Sequence, residues 1–335
     1  MKKQRRYLRR MLILVGGLVL FYFGSALVMV ALPMPEMADA EVMTKEKDEA
    51  DGMTIEQLYE FEPHTFVMRD GISLHCRRFV STSPDSLVFL HGASGHSSQL
   101  NKCAGLIRES TGIEVFAYDH RGHGESPGPR GDVDYIGQYA SDAADVLQAV
   151  RELKPEGRII LAGHSMGGGI VQRYAMSDED KLADAYLLFA PVMGRGMPAE
   201  KVPPFAKPHM PRAFGLLMLN AAGIHGLDHL PVLRFGFPSF DGHINQYTYS
   251  AVRSMRPYDY RDGLTALDKP LLIVIGASDT ATGVDSKIVA EEVKKHTNGD
   301  VVTVNGEGHH VQNSPLGIEA ASSWVASVLG REKKP

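Results

Sequence analysis

The segment Gly163-His164-Ser165-Met166-Gly167 sets a serine among small residues. A serine hydroxyl is a weak nucleophile until a neighbouring base takes its proton. It also has to project from the backbone, and a strained strand-to-helix turn with small neighbours achieves this. The flanking sequence fits such a turn. Ile159–Ala162 leads in as a buried strand, and Gly168-Gly169-Ile170 leads out as a helix. The amide of Met166 then lies at a helix N-terminus, where an oxyanion is stabilised.

A nucleophilic serine needs a base within reach and an acid that holds the imidazole in one tautomer. Where the serine sits on a strand-to-helix turn, they follow in the order serine, acid, histidine. Leu271–Gly276 reads as a strand, with Asp279 in the loop after it and Asp285 further on, where the next helix would face it away. Val301–Val304 reads as another strand, ending in a glycine turn followed by His309 and His310. The residues alone leave two acids and two bases open. His91, His120, His123 and His164 read as structural, since a histidine at a strand end more often bonds a neighbouring loop than reacts. No His-x-x-x-His with a glutamate and no cysteine cluster occurs, so neither a metal nor another cofactor is expected.

Four blocks carry a family resemblance: HGASGHS at 91–97, DHRGHGES at 119–126, GHSMGG at 163–168 and GEGHH at 306–310. Over residues 64–330 the chain resembles the alpha/beta hydrolases, and within them the monoglyceride lipase and lysophospholipase group. The resemblance implies Ser165 as nucleophile. It implies Asp279 as acid, from the family's strand-Gly-x-x-Asp pattern, although Thr280-Ala281-Thr282 lacks the aliphatic residue often found there. It selects His309, which directly follows the glycine, as base. The implied oxyanion hole uses the amides of Ala93 and Met166, with Ser94 standing where many relatives have glycine. DHRGHGES would brace the site, Arg121 pairing with a carboxylate. Epoxide and haloalkane hydrolases carry Asp at the position of Ser165 and are disfavoured.

These groups need a scaffold. Thr65–Met68 and Ile72–Val80 flank Asp70-Gly71 as a hairpin. Leu87–Leu90, Glu114–Tyr118, Arg158–Ala162, Ala185–Phe189, Leu271–Ile275 and Val301–Val304 are apolar runs of strand length. Tyr135–Leu153, Ser165–Met176, Val284–His296 and Leu316–Leu329 fit helices. Their alternation predicts an α/β fold, a mostly parallel sheet flanked by helices, with chemistry at the carboxyl ends of the strands. Residues 63–190 and 261–335 would form this core. Residues 191–260 show no clear strand and are too many for a simple loop, which predicts an inserted lid. Its apolar side chains, with Phe214, Leu217 and Leu233 as substrate-binding residues, suit an acyl chain. The expected substrate is a small-molecule acyl ester, a monoacylglycerol or lysophospholipid. A non-lipid ester, the N-terminal residue of a peptide, or a non-catalytic binding role are the alternatives.

Charge is unevenly placed. The chain of 335 residues carries a net charge of −5, which gives no reason to expect nucleic acid as a partner. Lys2, Lys3, Arg5, Arg6, Arg9 and Arg10 precede Met11–Leu32, which holds no charge. As a helix this stretch reaches ~33 Å, against a hydrocarbon core of ~30 Å and signal-peptide apolar stretches of about 7–15 residues. Basic residues stay cytoplasmic. The expectation is a cytoplasmic segment 1–10, a single-pass membrane anchor at 11–32, and an extracytoplasmic remainder. Ala38-Asp39-Ala40 resembles a cleavage site and keeps a signal peptide as the alternative. Residues 33–62 read as a polar linker with a short helix around Met53–Phe61. Cys76 and Cys103 read as free, partly buried thiols, with one disulfide between them as the alternative. The oligomeric state is left open.

Overall fold

The computed structural model describes residues 2–36, 59–203, 205–236 and 244–331. Helix α1 spans Lys2–Ala31 and is followed by strands β1 (Glu62–Val67), β2 (Ser73–Phe79) and β3 (Ser86–Leu90). Then come α2 (Asn101–Thr111), β4 (Glu114–Tyr118), α3 (Gln138–Leu153), β5 (Ile159–His164), α4 (Met166–Met176) and β6 (Ala185–Phe189). The next stretch holds β7 (Ala206–Pro208), α5 (Met210–Ala221), β8 (Pro231–Phe235), β9 (Gln246–Thr248) and α6 (Tyr249–Met255). The chain continues through α7 (Tyr260–Thr265), β10 (Leu271–Gly276), α8 (Ser286–His296), β11 (Asp300–Val304) and α9 (Pro315–Val328).

Eight strands form one sheet in the order β1-β2-β4-β3-β5-β6-β10-β11. The β1–β2 hairpin turns at Gly71, where φ is +85°, and β2 pairs antiparallel with β4. From β4 to β11 every neighbour is parallel. Strands β3, β4, β5, β6 and β10 are buried along their whole length, which explains their unbroken apolar runs. Alternate residues serve opposite faces. Val88, Phe116, Leu161, Leu188 and Ile273 meet a core that includes Val146 of α3 and Ile170 of α4. Phe89, Ala117, Ile160, Leu187 and Val274 meet a second core with Ile107 of α2 and Val325 of α9. Cys76 belongs to the first core and Cys103 to the second, and both are buried free thiols.

Three features differ from the sequence reading. The first is α2, which interrupts its helical pattern with Gly105, a costly residue in a helix interior. The glycine is needed because a Cβ there would lie 2.1 Å from Cγ of the Tyr59 ring. The second is the end of the segment read as linker. Residues 37–58, including the Ala38-Asp39-Ala40 site and most of the expected Met53–Phe61 helix, lie outside the described residues. Tyr59, Glu60 and Phe61 are not helical. Tyr59 is fixed to α2, its N–H donating to Asn101 Oδ1 at 2.7 Å while Asn101 Nδ2 donates to Tyr59 O at 2.9 Å.

The third is the stretch between β6 and β10, which does hold strands. β7, β8 and β9 form a small antiparallel sheet. Strands of three to five residues containing Pro208, Pro231 and basic side chains give no usable alternation. Phe237 and Phe240 lie outside the described residues. Helix α1, with a mean hydropathy of 2.4 in its apolar window, is long and apolar enough to cross a membrane. Its last turns pack against α5 of the insert.

Candidate functional site

Ser165 follows the carboxyl end of β5 and precedes α4, at φ +53° and ψ −115°. A non-glycine residue rarely adopts this conformation, and here the neighbours secure it. Ser165 N–H donates to Phe189 O on β6 at 3.0 Å, and its carbonyl accepts from Val192 N at 2.9 Å. The glycines around it are dictated by space. A Cβ on Gly163 would lie 2.4 Å from the carbonyl carbon of Gly167, and one on Gly167 would lie 2.3 Å from Leu90 O. Strand, turn and helix can close so tightly only without side chains.

The ends of β10 and β11 bring the other two groups to the serine. His309 Nε2 is 2.9 Å from Ser165 Oγ, and His309 Nδ1 is 3.0 Å from Asp279 Oδ2. Asp279 is buried. Burial alone would push its carboxyl up, but the facing His309 and the amides of Ala281 and Thr282 hold it below the usual range. The two alternatives fall elsewhere. Asp285 caps α8, accepting from Lys287 N at 2.8 Å. His310 is pushed down to about 3 by burial and then by neighbouring His309, and lies tilted against the His164 ring. Such a chain of hydroxyl, imidazole and carboxylate can deprotonate the hydroxyl as it attacks a carbonyl and hold the resulting imidazolium.

Ala93 and Met166, the two residues whose amides the resemblance implies as oxyanion donors, both lie beside the nucleophile. Met166 opens α4, and the first amides of a helix have no intrahelical acceptor. Ala93 lies in the loop after β3, which runs against the nucleophile: a Cβ on Gly92 would be 3.2 Å from Ser165 Cβ. Ser94 takes φ +63°, the conformation that glycine adopts without strain. Its side chain provides the compensation. Ser94 Oγ donates to Ile244 O, and its N–H donates to Tyr247 Oη at 2.6 Å.

Tyr247 was not legible as a site residue, since it lies in the insert, 153 positions from Ser94, with no motif around it. It ties the insert to the loop carrying Ala93. Its hydroxyl accepts from Ser94 and faces His123 Nε2 at 3.0 Å. Burial pushes His123 down to about 3 and His91 down to about 4. Neutral His123 then donates through Nδ1 to Arg121 O and accepts at Nε2 from Tyr247. His91 Nε2 accepts from His120 N at 3.0 Å. The four histidines set aside as structural do bond backbone and neighbouring loops, His164 Nε2 reaching His309 O at 3.1 Å. Tyr247→Phe leaves the Ser94 amide without its buried acceptor, a loss of about 1–3 kcal/mol. Hydrolysis of a soluble ester should fall about tenfold in kcat with little change in KM. An unchanged kcat would detach Tyr247 from the site.

The 119–126 block forms the brace. Asp119 accepts from Ser97 N at 2.6 Å and Glu125 N at 2.9 Å. Buried Arg121 pairs bidentately with Asp142 of α3, at 2.9 and 2.7 Å, and reaches Asp70 at 2.8 Å. Arg121→Ala strands the buried Asp142 carboxylate, which should cost about 3–5 kcal/mol. We expect a Tm lower by roughly 10 °C in thermal unfolding. A drop of a degree or two would mean that the pair is solvated.

The three residues read as substrate-binding divide. Leu233 on β8 pairs in register with Tyr247 on β9 and packs against the first core. Phe214 and Leu217 lie on α5, with Phe214 largely exposed. Among the described residues, no three His, Cys, Asp or Glu side chains converge as metal ligands.

Known proteins resemble this chain in sequence and in fold. Residues 82–227 match the family described as serine aminopeptidase, S33. The monoglyceride lipase homolog of Monkeypox virus is 37% identical over 126 residues, 37% of this chain and 45% of the relative. A monoacylglycerol lipase of Mycolicibacterium smegmatis is 26% identical over 272 residues, 74% of this chain and 90% of the relative. The matched segment thus spans under half the length of the viral relative. Among solved structures, the monoacylglycerol lipase of Paleococcus ferrophilus superposes with a TM-score of 0.55 at 19% identity, covering 76% of this chain and 99% of that one. The fold is that of the alpha/beta hydrolases, as the sequence implies.

Proposed function

We propose that this alpha/beta hydrolase, similar in sequence to monoglyceride lipases, is a membrane-anchored serine hydrolase that cleaves carboxylic esters of lipids through an acyl-enzyme. The observation that carries the reading is His309 Nε2 at 2.9 Å from Ser165 Oγ, with Asp279 at 3.0 Å behind it. Ser165 Oγ attacks the ester carbonyl as His309 accepts its proton, and the amides of Ala93 and Met166 receive the oxyanion. The imidazolium returns the proton to the departing alcohol. Water, deprotonated by the same imidazole, attacks the acyl-enzyme, and the imidazolium returns that proton to Ser165 Oγ as the acid leaves.

Residues 191–260 act as the lid that shapes the acyl site, which supports a monoacylglycerol or lysophospholipid as substrate. Helix α1 acts as the anchor. Six basic residues before an uncharged stretch support a cytoplasmic N-terminus and an extracytoplasmic domain.

The test is a panel with full-length protein: monoacylglycerols, lysophospholipids, soluble p-nitrophenyl esters and aminoacyl p-nitroanilides. The reading predicts cleavage of the lipid esters and not of the anilides. Turnover of anilides alone would move the assignment to an aminopeptidase.

A further inference from the structure

The last turns of α1 and helix α5 run antiparallel in contact. Arg212, near the start of α5, donates through Nε to Val30 O at 2.9 Å and through a terminal nitrogen to Leu32 O at 2.6 Å. His209 Nε2 faces Leu32 O at 3.1 Å. Near the other end, Tyr22 Oη donates to Met218 O at 2.8 Å. The last carbonyls of a helix have no intrahelical donor, and a cation there also suits the helix dipole. Arg212 meets both needs for α1. Between the two ends the backbones approach at Gly215, where a Cβ would lie 2.6 Å from Ala26 O and 3.2 Å from Met29 Cβ. Small residues at a helix crossing are the means by which helices pack closely in lipid.

The contact uses residues that a membrane span requires. Met11 to Phe21 reaches only ~16 Å as a helix, so Tyr22 to Leu32 must complete a hydrocarbon core of ~30 Å. Helix α5 lies beside that second half. Its sequence, MPRAFGLLMLNA, has two polar side chains, and both are engaged. Arg212 is bonded to α1, and Asn220 Nδ2 donates to Leu216 O and Asp228 Oδ1. A helix apolar on all sides belongs in a core or a membrane. Yet Met210 and Phe214 are 60% and 56% exposed, and with half-buried Leu217 and exposed Ala221 they form one stripe. Leu27 and Val28 of α1 are exposed as well.

We propose that α1 and α5 form a fixed helix pair embedded together in the leaflet where α1 ends, with the stripe Met210, Phe214, Leu217 and Ala221 against lipid acyl chains. This rests on the membrane reading of α1. The insert is then part of the anchor as well as the cover of the acyl site, and Phe214 faces lipid rather than a pocket. Through β8 and β9 the pair connects to Tyr247 and the Ala93 loop, so membrane seating and the oxyanion site share one rigid path.

Trp324 is the sole tryptophan, on α9 at the far face of the sheet. Phe214→Trp in a Trp324→Phe background therefore gives one reporter at an exposed site. Full-length protein in phosphatidylcholine vesicles with brominated acyl chains should lose the emission of the indole at 214, whereas Trp324 in the wild type should keep its own. Emission at 214 that is indifferent to the bromolipid overturns the lipid-facing stripe. For the pair, amide exchange should be slow in 22–31 and 210–221. Gly215→Leu should speed both segments together while β3–β5 stay protected. Exchange that rises in neither segment, or a mature protein that begins after residue 32, overturns the pairing. Neither readout requires ester hydrolysis, so a failed esterase assignment leaves both intact.

Discussion

Alanine at position 165 should abolish ester hydrolysis and leave the fold intact. The substitution removes one oxygen and keeps the Cβ, so the turn held by Phe189 O and Val192 N is undisturbed. Loss of a nucleophile of this kind typically costs on the order of 10⁴–10⁶ in rate. His309→Ala should cost as much, because an unactivated hydroxyl is nearly as inert as none. Groups that act as one unit lose their effect together, so Ser165→Ala/His309→Ala should be no slower than either single variant. His310→Ala should behave differently. That ring is half-buried and packs against His164, while His309 is the imidazole bonded to the serine, so its removal should lower stability and spare the chemical step. A Ser165→Ala protein with more than a tenth of the activity would sink the nucleophile assignment. An inactive His310→Ala beside an active His309→Ala would move the base by one residue.

The second large effect concerns acyl-chain length. If residues 191–260 cover an apolar acyl site, each buried methylene contributes up to about 0.8 kcal/mol until the site is full. From a two-carbon to an eight-carbon ester, kcat/KM could then rise by up to roughly 10³. Ordering a flexible chain offsets part of this gain. Leu233 lies beside Tyr247 and is the side chain through which the slope should be most sensitive. Leu233→Ser should flatten the chain-length dependence while two-carbon esters are still cleaved. Phe214→Ser should leave the slope for soluble esters unchanged and reduce turnover of lipid in vesicles, if α5 faces the bilayer. A wild-type protein indifferent to chain length would remove the lipid reading and leave the serine-hydrolase reading standing.

The central sheet was legible because its strands are buried on both faces, which leaves unbroken apolar runs in the sequence. The residues around Ser165 were legible for a related reason. Gly163 and Gly167 are fixed by backbone contacts within a few residues of the turn or with the adjacent strand, so the constraint is written locally. The choice between His309 and His310, and between Asp279 and Asp285, was not settled by spacing. The two histidines sit at the same strand end, and only the family resemblance separated them; Asp285 was disfavoured by its place at the next helix, and the resemblance selected Asp279.

The insert was the least legible part, because its strands are short and its constraints are long-range. Tyr247 reaches Ser94 across 153 positions, and Gly215 owes its identity to Ala26 and Met29. A glycine inside an apolar helix marks a close neighbour without saying which one. Gly105, placed by Tyr59, concealed α2 for the same reason.

The most direct test of the central claim is labelling with a fluorophosphonate probe, which phosphonylates only a serine activated by a base. One labelled peptide, modified at Ser165, is expected in the wild type. Ser165→Ala and His309→Ala should not be labelled under the same conditions, and His310→Ala should retain labelling. Wild-type protein that resists the probe while folded, or carries it on another serine, would contradict the assignment of Ser165 as the activated nucleophile.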